Sequence, residues 1–297
     1  MTSPSHGAPQ DPVSAWLART FPRQHVLRAE IAAELRRCSV LLLDPPNKSL
    51  FGDIVEFAIG LTLGDQPSYL QLFDCLDLGH AQRLLTTAGY QPTEMATLLG
   101  TWRRIHSAPH PARIFNTASR LAHLHCLRND LGAWRPDVDD VTRLLLQRNP
   151  DLLDNRPDQT FRTRCWFRTF WYSYTSGFQT ALRSYGPSTA QLSLLHGHRR
   201  ADFLLGTTLL EVKSGRLDRD RYLDNLIRQL LTYALLAHHD GHPVTHVAAY
   251  AARYQRLLRY PIQELTNRLA GAPLDLTAAA SHIACLIRDQ RPRRDAT

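Results

Sequence analysis

Asp202, Glu211 and Lys213 are the residues whose types and spacing best suit a chemical step. They lie in Ala201-Asp202-Phe203-Leu204-Leu205-Gly206-Thr207-Thr208-Leu209-Leu210-Glu211-Val212-Lys213, which reads as two short strands joined by a tight turn at Gly206-Thr207. Phe203, Leu204, Leu205, Leu209, Leu210 and Val212 are bulky apolar residues that suit buried strands. Residues two apart on a strand share a face, so Glu211 and Lys213 project together while Val212 points away. Folding the hairpin back brings Asp202 to the same end. Two carboxylates and one amine then converge beside a buried sheet. Such a set is a metal site with a base, or it is a salt bridge.

The elements that must position this set come from periodicity. Residues 217–239 form the clearest helix, with Leu223, Leu226, Ile227, Leu230, Leu231 and Ala234 on one face. Asp240-Gly241-His242-Pro243 stops it, and the apolar run 244–252 suits a buried strand parallel to its predecessor, because a helix crossover separates them. Residues 191–195 read as a strand before the hairpin and 255–260 as one after it. Helices are expected at 261–270 and 276–288. Before the sheet, helix-type patterns occupy 13–20 and 23–37, the second with a stripe of Val26, Leu27, Ile31 and Leu35. Ser49 can cap a helix running to Leu63, whose acids are Asp53 and Glu56. Residues 161–182 form a long aromatic-rich helix with a core stripe of Phe167, Phe170, Trp171, Tyr174 and Phe178. Strands are thus confined to the second half of the chain.

The helix after the hairpin adds Gln229-Leu230-Leu231-Thr232-Tyr233. Asp202, Glu211-Val212-Lys213 and this Gln-x-x-x-Tyr, in that order on strand, strand and helix, resemble the D…ExK…QxxxY signature of PD-(D/E)xK nucleases of the RecB exonuclease type. The resemblance covers about residues 191–259, with the helix at 49–63 as a further candidate. The proline of the family's name is replaced by Ala201, and the cysteines of its iron–sulfur members are missing, since only Cys285 lies downstream.

The resemblance implies an α/β fold: a mixed central sheet of the restriction-endonuclease-like type with a large helical N-terminal or inserted region. The expected division is a disordered tail at 1–11, helices including the first core helix at 12–64, a helical region at 65–158, and the nuclease core with C-terminal helices at 159–297. It implies hydrolysis of DNA phosphodiesters with Mg²⁺ or Mn²⁺, held by Asp202, Glu211 and the main-chain carbonyl of Val212. Glu56 is the best further ligand from an early helix, and Asp53 the second. Lys213 would orient the attacking water. Gln229 and Tyr233, one helical turn apart, and Arg199 and Arg200, beside Asp202, are the expected nucleic-acid contacts. The partner is DNA, single-stranded or at ends, and the helical region would recognise substrate or a partner protein. Repair and phage defence are the settings such enzymes serve.

Composition sets outer bounds. The chain has 297 residues and a formal charge of +8, which favours a polyanionic partner. Only Lys48 and Lys213 of its 35 basic residues are lysine, so one of two compact, tunable ammonium groups falls beside the carboxylates. Five scattered cysteines without CxxC spacing suit a reducing cytoplasm and argue against a disulfide framework. No apolar run reaches the roughly 18 residues of a membrane span, so no membrane role is expected. His123, His125 and Cys126 read as structural, and His196 and His198 as loop residues. The competing functional reading is a nuclease-like fold used as a non-catalytic nucleic-acid- or protein-binding module; a third is a basic helical scaffold for a partner protein.

Overall fold

The computed structural model describes residues 11–38, 40, 48–63, part of the stretch 111–122, and 157–290. Almost all of the helical region expected at 65–158, with His123, His125 and Cys126, lies outside the described residues. In chain order the described elements are α1 (Pro12–Thr20), α2 (Gln24–Arg36), α3 (Lys48–Leu63), α4 (Pro157–Ser173), a π-helical turn (Tyr174–Phe178) and α5 (Gln179–Arg183). Then follow β1 (Ser188–Leu194), β2 (Arg199–Leu205), β3 (Thr208–Lys213), α6 (Asp220–His239), β4 (His246–Ala251), β5 (Arg256–Pro261), α7 (Ile262–Ala270) and α8 (Leu276–Asp289).

The strands form one α/β mixed sheet in the order β1-β2-β3-β4-β5. Every neighbouring pair is antiparallel except β3 and β4, which are parallel because α6 carries the chain across. β3 is the central strand, and its near-continuous apolar run follows from burial on both faces. One face packs against α6 with α1, α2, α7 and α8, joining Leu209, Val247 and Ala249 to Leu223, Leu226, Ile227, Leu230 and Leu231. Each of these Val, Leu and Ile side chains, fully buried, contributes about 1.5–3 kcal/mol. The opposite face packs Leu210, Val212, Ala248 and Tyr250 against Phe51, Ile54, Val55 and Phe57 of α3 and Phe167, Phe170 and Trp171 of α4. The sheet is therefore the middle of three layers.

Local departures from the expected elements have identifiable causes. Val26 is 39% exposed, and the buried side of α2 is Leu27, Ile31 and Leu35, spaced four apart. α3 begins at Lys48, so Ser49 lies in the helix rather than at its cap. β1 begins at Ser188, three residues before the expected start. Its small residues Ser188 and Ala190 carry no strand signal alone, but they pair with Leu205 and Phe203 of β2. The long aromatic helix carries a π turn at Tyr174–Phe178, where the buried Tyr174 hydroxyl bonds Thr62 Oγ1 of α3 at 2.9 Å. The two-residue turn at Gly206-Thr207 requires glycine: Gly206 has φ +55°, and a Cβ there would overlap the Tyr185 carbonyl oxygen. Among the described residues no helix is long and apolar enough to cross a membrane.

Candidate active site

The site is made by the sheet coming apart. β2 and β3 pair from Leu205↔Thr208 to Phe203↔Leu210 and no further. Beyond that point β2 stays with β1, down to Leu194↔Arg199, while β3 stays with β4, up to Lys213↔Ala251. Asp202 and Glu211 are the first residues past the split. Asp202 Oδ2 accepts the Val212 N–H at 2.6 Å, which fixes the carboxylate across the mouth of the fork. Val212 itself sends its side chain into the α3-side core.

Glu211 is the anomaly in an otherwise apolar strand, at 2% exposure. Its Oε1 accepts two hydrogen bonds, from Lys213 Nζ at 2.6 Å and from Gln229 Nε2 at 2.5 Å. Gln229 Nε2 also reaches the Tyr233 hydroxyl at 3.1 Å. Glu211 Oε2 is buried and has no hydrogen-bond partner among the described residues. A buried carboxylate oxygen left in this state costs free energy unless something positive faces it. Burial first, and the Asp202 carboxylate second, raise the Glu211 pKa from 4.5 to about 8, against the opposing pull of Lys213 and Gln229. Burial works against the Lys213 ammonium, but Glu211 and Asp202 more than offset it and raise its pKa, so the lysine is held charged. Burial, then Glu211, push the Tyr233 phenol up to about 12.

Glu56 on α3 faces the fork from the other layer. Its pKa is raised well above the ordinary carboxylate value by burial, then by Asp202, Glu211 and Asp53. Gln191 of β1 lies against it, with Nε2 at 3.5 Å from Glu56 Oε1. Among the described residues, however, no three His, Cys, Asp or Glu side chains are grouped so that they could hold one metal ion. Glu56, the further ligand expected from an early helix, stands close enough to Asp202 and Glu211 for their charge to raise its pKa.

The expected nucleic-acid contacts divide. Gln229 and Tyr233 turn inward to brace Glu211, which their position on the shoulder of the α6 stripe allows. Beside them opens a cavity of about 320 Å³, lined by Arg199, Arg228, Asn225, Thr232 and Ser14 together with Gln229 and Tyr233. Arg199 is exposed at this opening. Arg200 is half-buried and does not line the cavity. Sequence reasoning missed Arg228 and the α1 wall because α1 meets α6 only through the folded chain, and it missed Gln191 altogether. The cysteines described, Cys38, Cys165 and Cys285, are free thiols.

The residues present fit a hard divalent cation. All the donors on offer are oxygen, two are carboxylates, and one buried carboxylate oxygen has no partner. No protein-family model matches the chain, and no curated protein or solved structure matches it.

Proposed function

We propose that this chain is a Mg²⁺- or Mn²⁺-dependent nuclease of the PD-(D/E)xK type acting on DNA. The observation that carries the reading is the convergence, at one split in the sheet, of Asp202, Glu211, Lys213, Gln229 and Tyr233, with Glu211 Oε2 left facing no donor. A salt bridge alone does not account for that oxygen, nor for a carboxylate buried where an apolar residue would be more stable.

In this reading Asp202 and Glu211, with the main-chain carbonyl of Val212, hold the cation. When bound, it would acidify a water and neutralise charge on the phosphate. The chain's own residues do the rest. Gln229 occupies Glu211 Oε1, and Oε2 is left buried with no hydrogen-bond partner among the described residues. Lys213, kept charged and with its side chain 29% exposed, donates hydrogen bonds rather than taking protons. It orients the attacking water and opposes the negative charge that builds on the phosphate. Tyr233 remains a neutral phenol and steadies Gln229. Arg199 and Arg228, which line the adjoining cavity, would meet substrate phosphates.

The test is cleavage of DNA with Mg²⁺ by the parent chain, Glu211→Ala and Lys213→Ala. The parent is expected to cut and both variants to fail. Equal behaviour by all three would sink the reading and favour a binding module. Linear, circular, single- and double-stranded substrates in the same series separate end-directed from internal cleavage.

A further inference from the structure

Gln191 belongs to no motif, yet it departs from ordinary strand behaviour in three ways. Its backbone is left-handed, with φ +50°, a conformation that side-chain-bearing residues avoid and glycine takes freely. It falls between the pairs Ala190↔Phe203 and Leu192↔Ala201, directly across from Asp202. At that point both strands change face: Ala190 and Phe203 lie in the α3-side core, Leu192 and Ala201 in the α6-side core. Its side chain is also polar and 4% exposed, with its amide nitrogen at 3.5 Å from Glu56 and its amide oxygen buried without a partner.

A residue present only to fill β1 would be small or β-branched, and one present only to make the bend would be glycine. The combination of a strained backbone and a half-satisfied amide has to be explained by its neighbours. Those neighbours are Asp202, one strand over, and Glu56, on the helix packed above. Glu211 Oε2 and Gln191 Oε1, on the two strands that flank β2, are both buried without a hydrogen-bond partner among the described residues, as are the Tyr250 hydroxyl on β4 and Ser173 Oγ.

We propose that Gln191 is a positioning residue of the cation centre, an inference that rests on the function proposed above. Its amide nitrogen holds Glu56 at the α3 wall of the fork. Its amide oxygen accepts a hydrogen bond from a water in the cation's outer shell. Glu56 then acts on the cation through water and not as a direct ligand. Mg²⁺ suits this arrangement because it gives up its waters reluctantly and is commonly held by one or two carboxylates. Partners of this indirect kind tune metal sites strongly.

The experiment compares the parent chain with Gln191→Gly, Glu56→Ala, the double variant of these two, and Glu211→Gln. It uses Mn²⁺ alone as the binding probe, with calorimetric affinity, the Mn²⁺ concentration for half-maximal cleavage, and the metal-free melting temperature as readouts. Gln191→Gly is expected to melt no lower than the parent, since glycine accepts the left-handed backbone, while Mn²⁺ affinity falls about 10- to 100-fold. Glu56→Ala should weaken Mn²⁺ comparably, and the double variant should lose less than the sum of the two single losses, because part of what Gln191 does passes through Glu56. A lower melting temperature with unchanged Mn²⁺ affinity would make Gln191 merely structural and overturn the proposal. Losses that simply add in the double variant would overturn it too, because Gln191 would not be acting through Glu56. Mn²⁺ binding that depends on Glu211 but ignores Gln191 removes this inference alone. Mn²⁺ binding indifferent to Glu211 removes the cation centre with it.

Discussion

The two ends of the β2–β3 hairpin are built from the same apolar sequence and behave in opposite ways. At the turn end, Leu205↔Thr208 and Leu204↔Leu209 pair regularly, and Gly206 fits under the Tyr185 carbonyl with no room to spare. At the other end pairing stops after Phe203↔Leu210, a carboxylate accepts a main-chain N–H, and buried oxygens are left without donors. The first end holds the fold together. The second gives up some stability where the acids gather, the pattern expected when a ligand is meant to complete the site.

Substitutions at the two ends should therefore fail in different measurements. Lys213→Ala is expected to lower kcat about 100- to 10,000-fold with little change in melting temperature, as removal of a group that orients a reacting water does; steady-state cleavage and thermal melts check both halves. Gln229→Ala removes one of the two donors to Glu211 Oε1 and should weaken Mn²⁺ binding about 10- to 100-fold, read by calorimetry. Gly206→Ala should do the reverse. It is expected to cost more than about 1 kcal/mol of stability in denaturant titration, while Mn²⁺ affinity of the folded protein stays at the parent's value.

A pH dependence sharpens the same contrast. Glu211 has its pKa raised in the folded chain, from 4.5 to about 8, so the fold binds its proton more tightly than the unfolded chain does. Its contribution to stability is full below pH 4.5 and is lost as pH rises toward 8. Metal-free melting temperature should fall across that window, and Mg²⁺ should restore part of the loss at its upper end. Glu211→Gln, which has no proton to lose, should show a smaller fall. A fall of the same size in that variant would place the effect elsewhere.

The hairpin, the α6 stripe and the parallel β4 were legible in the sequence because each rests on local periodicity or on the length of a crossover. The convergence of Asp202, Glu211 and Lys213 was legible for the same reason, since strand alternation and one tight turn are enough to bring them together. What could not be read depends on distant chain. Val26 and Leu27 are neighbours of similar character, and only packing of α2 on α6 decides that Leu27 turns inward. Ser188 enters a strand because Leu205 lies opposite it. That Gln229, steadied by Tyr233, also braces a buried acid could not be read, because it depends on where β3 ends. Gln191 gave no signal, because a left-handed backbone at a residue other than glycine is set by its surroundings and not by its type.

In the proposed function the split end of the sheet holds a divalent cation through Asp202 and Glu211. Calorimetric titration of Mn²⁺ into the parent chain and into Glu211→Gln near pH 7.5 tests it most directly. Saturable binding by the parent, weakened at least about 100-fold in the variant, is the expected result. No binding by the parent, or equal binding by both, would contradict the claim and return Asp202, Glu211 and Lys213 to the status of a buried salt bridge.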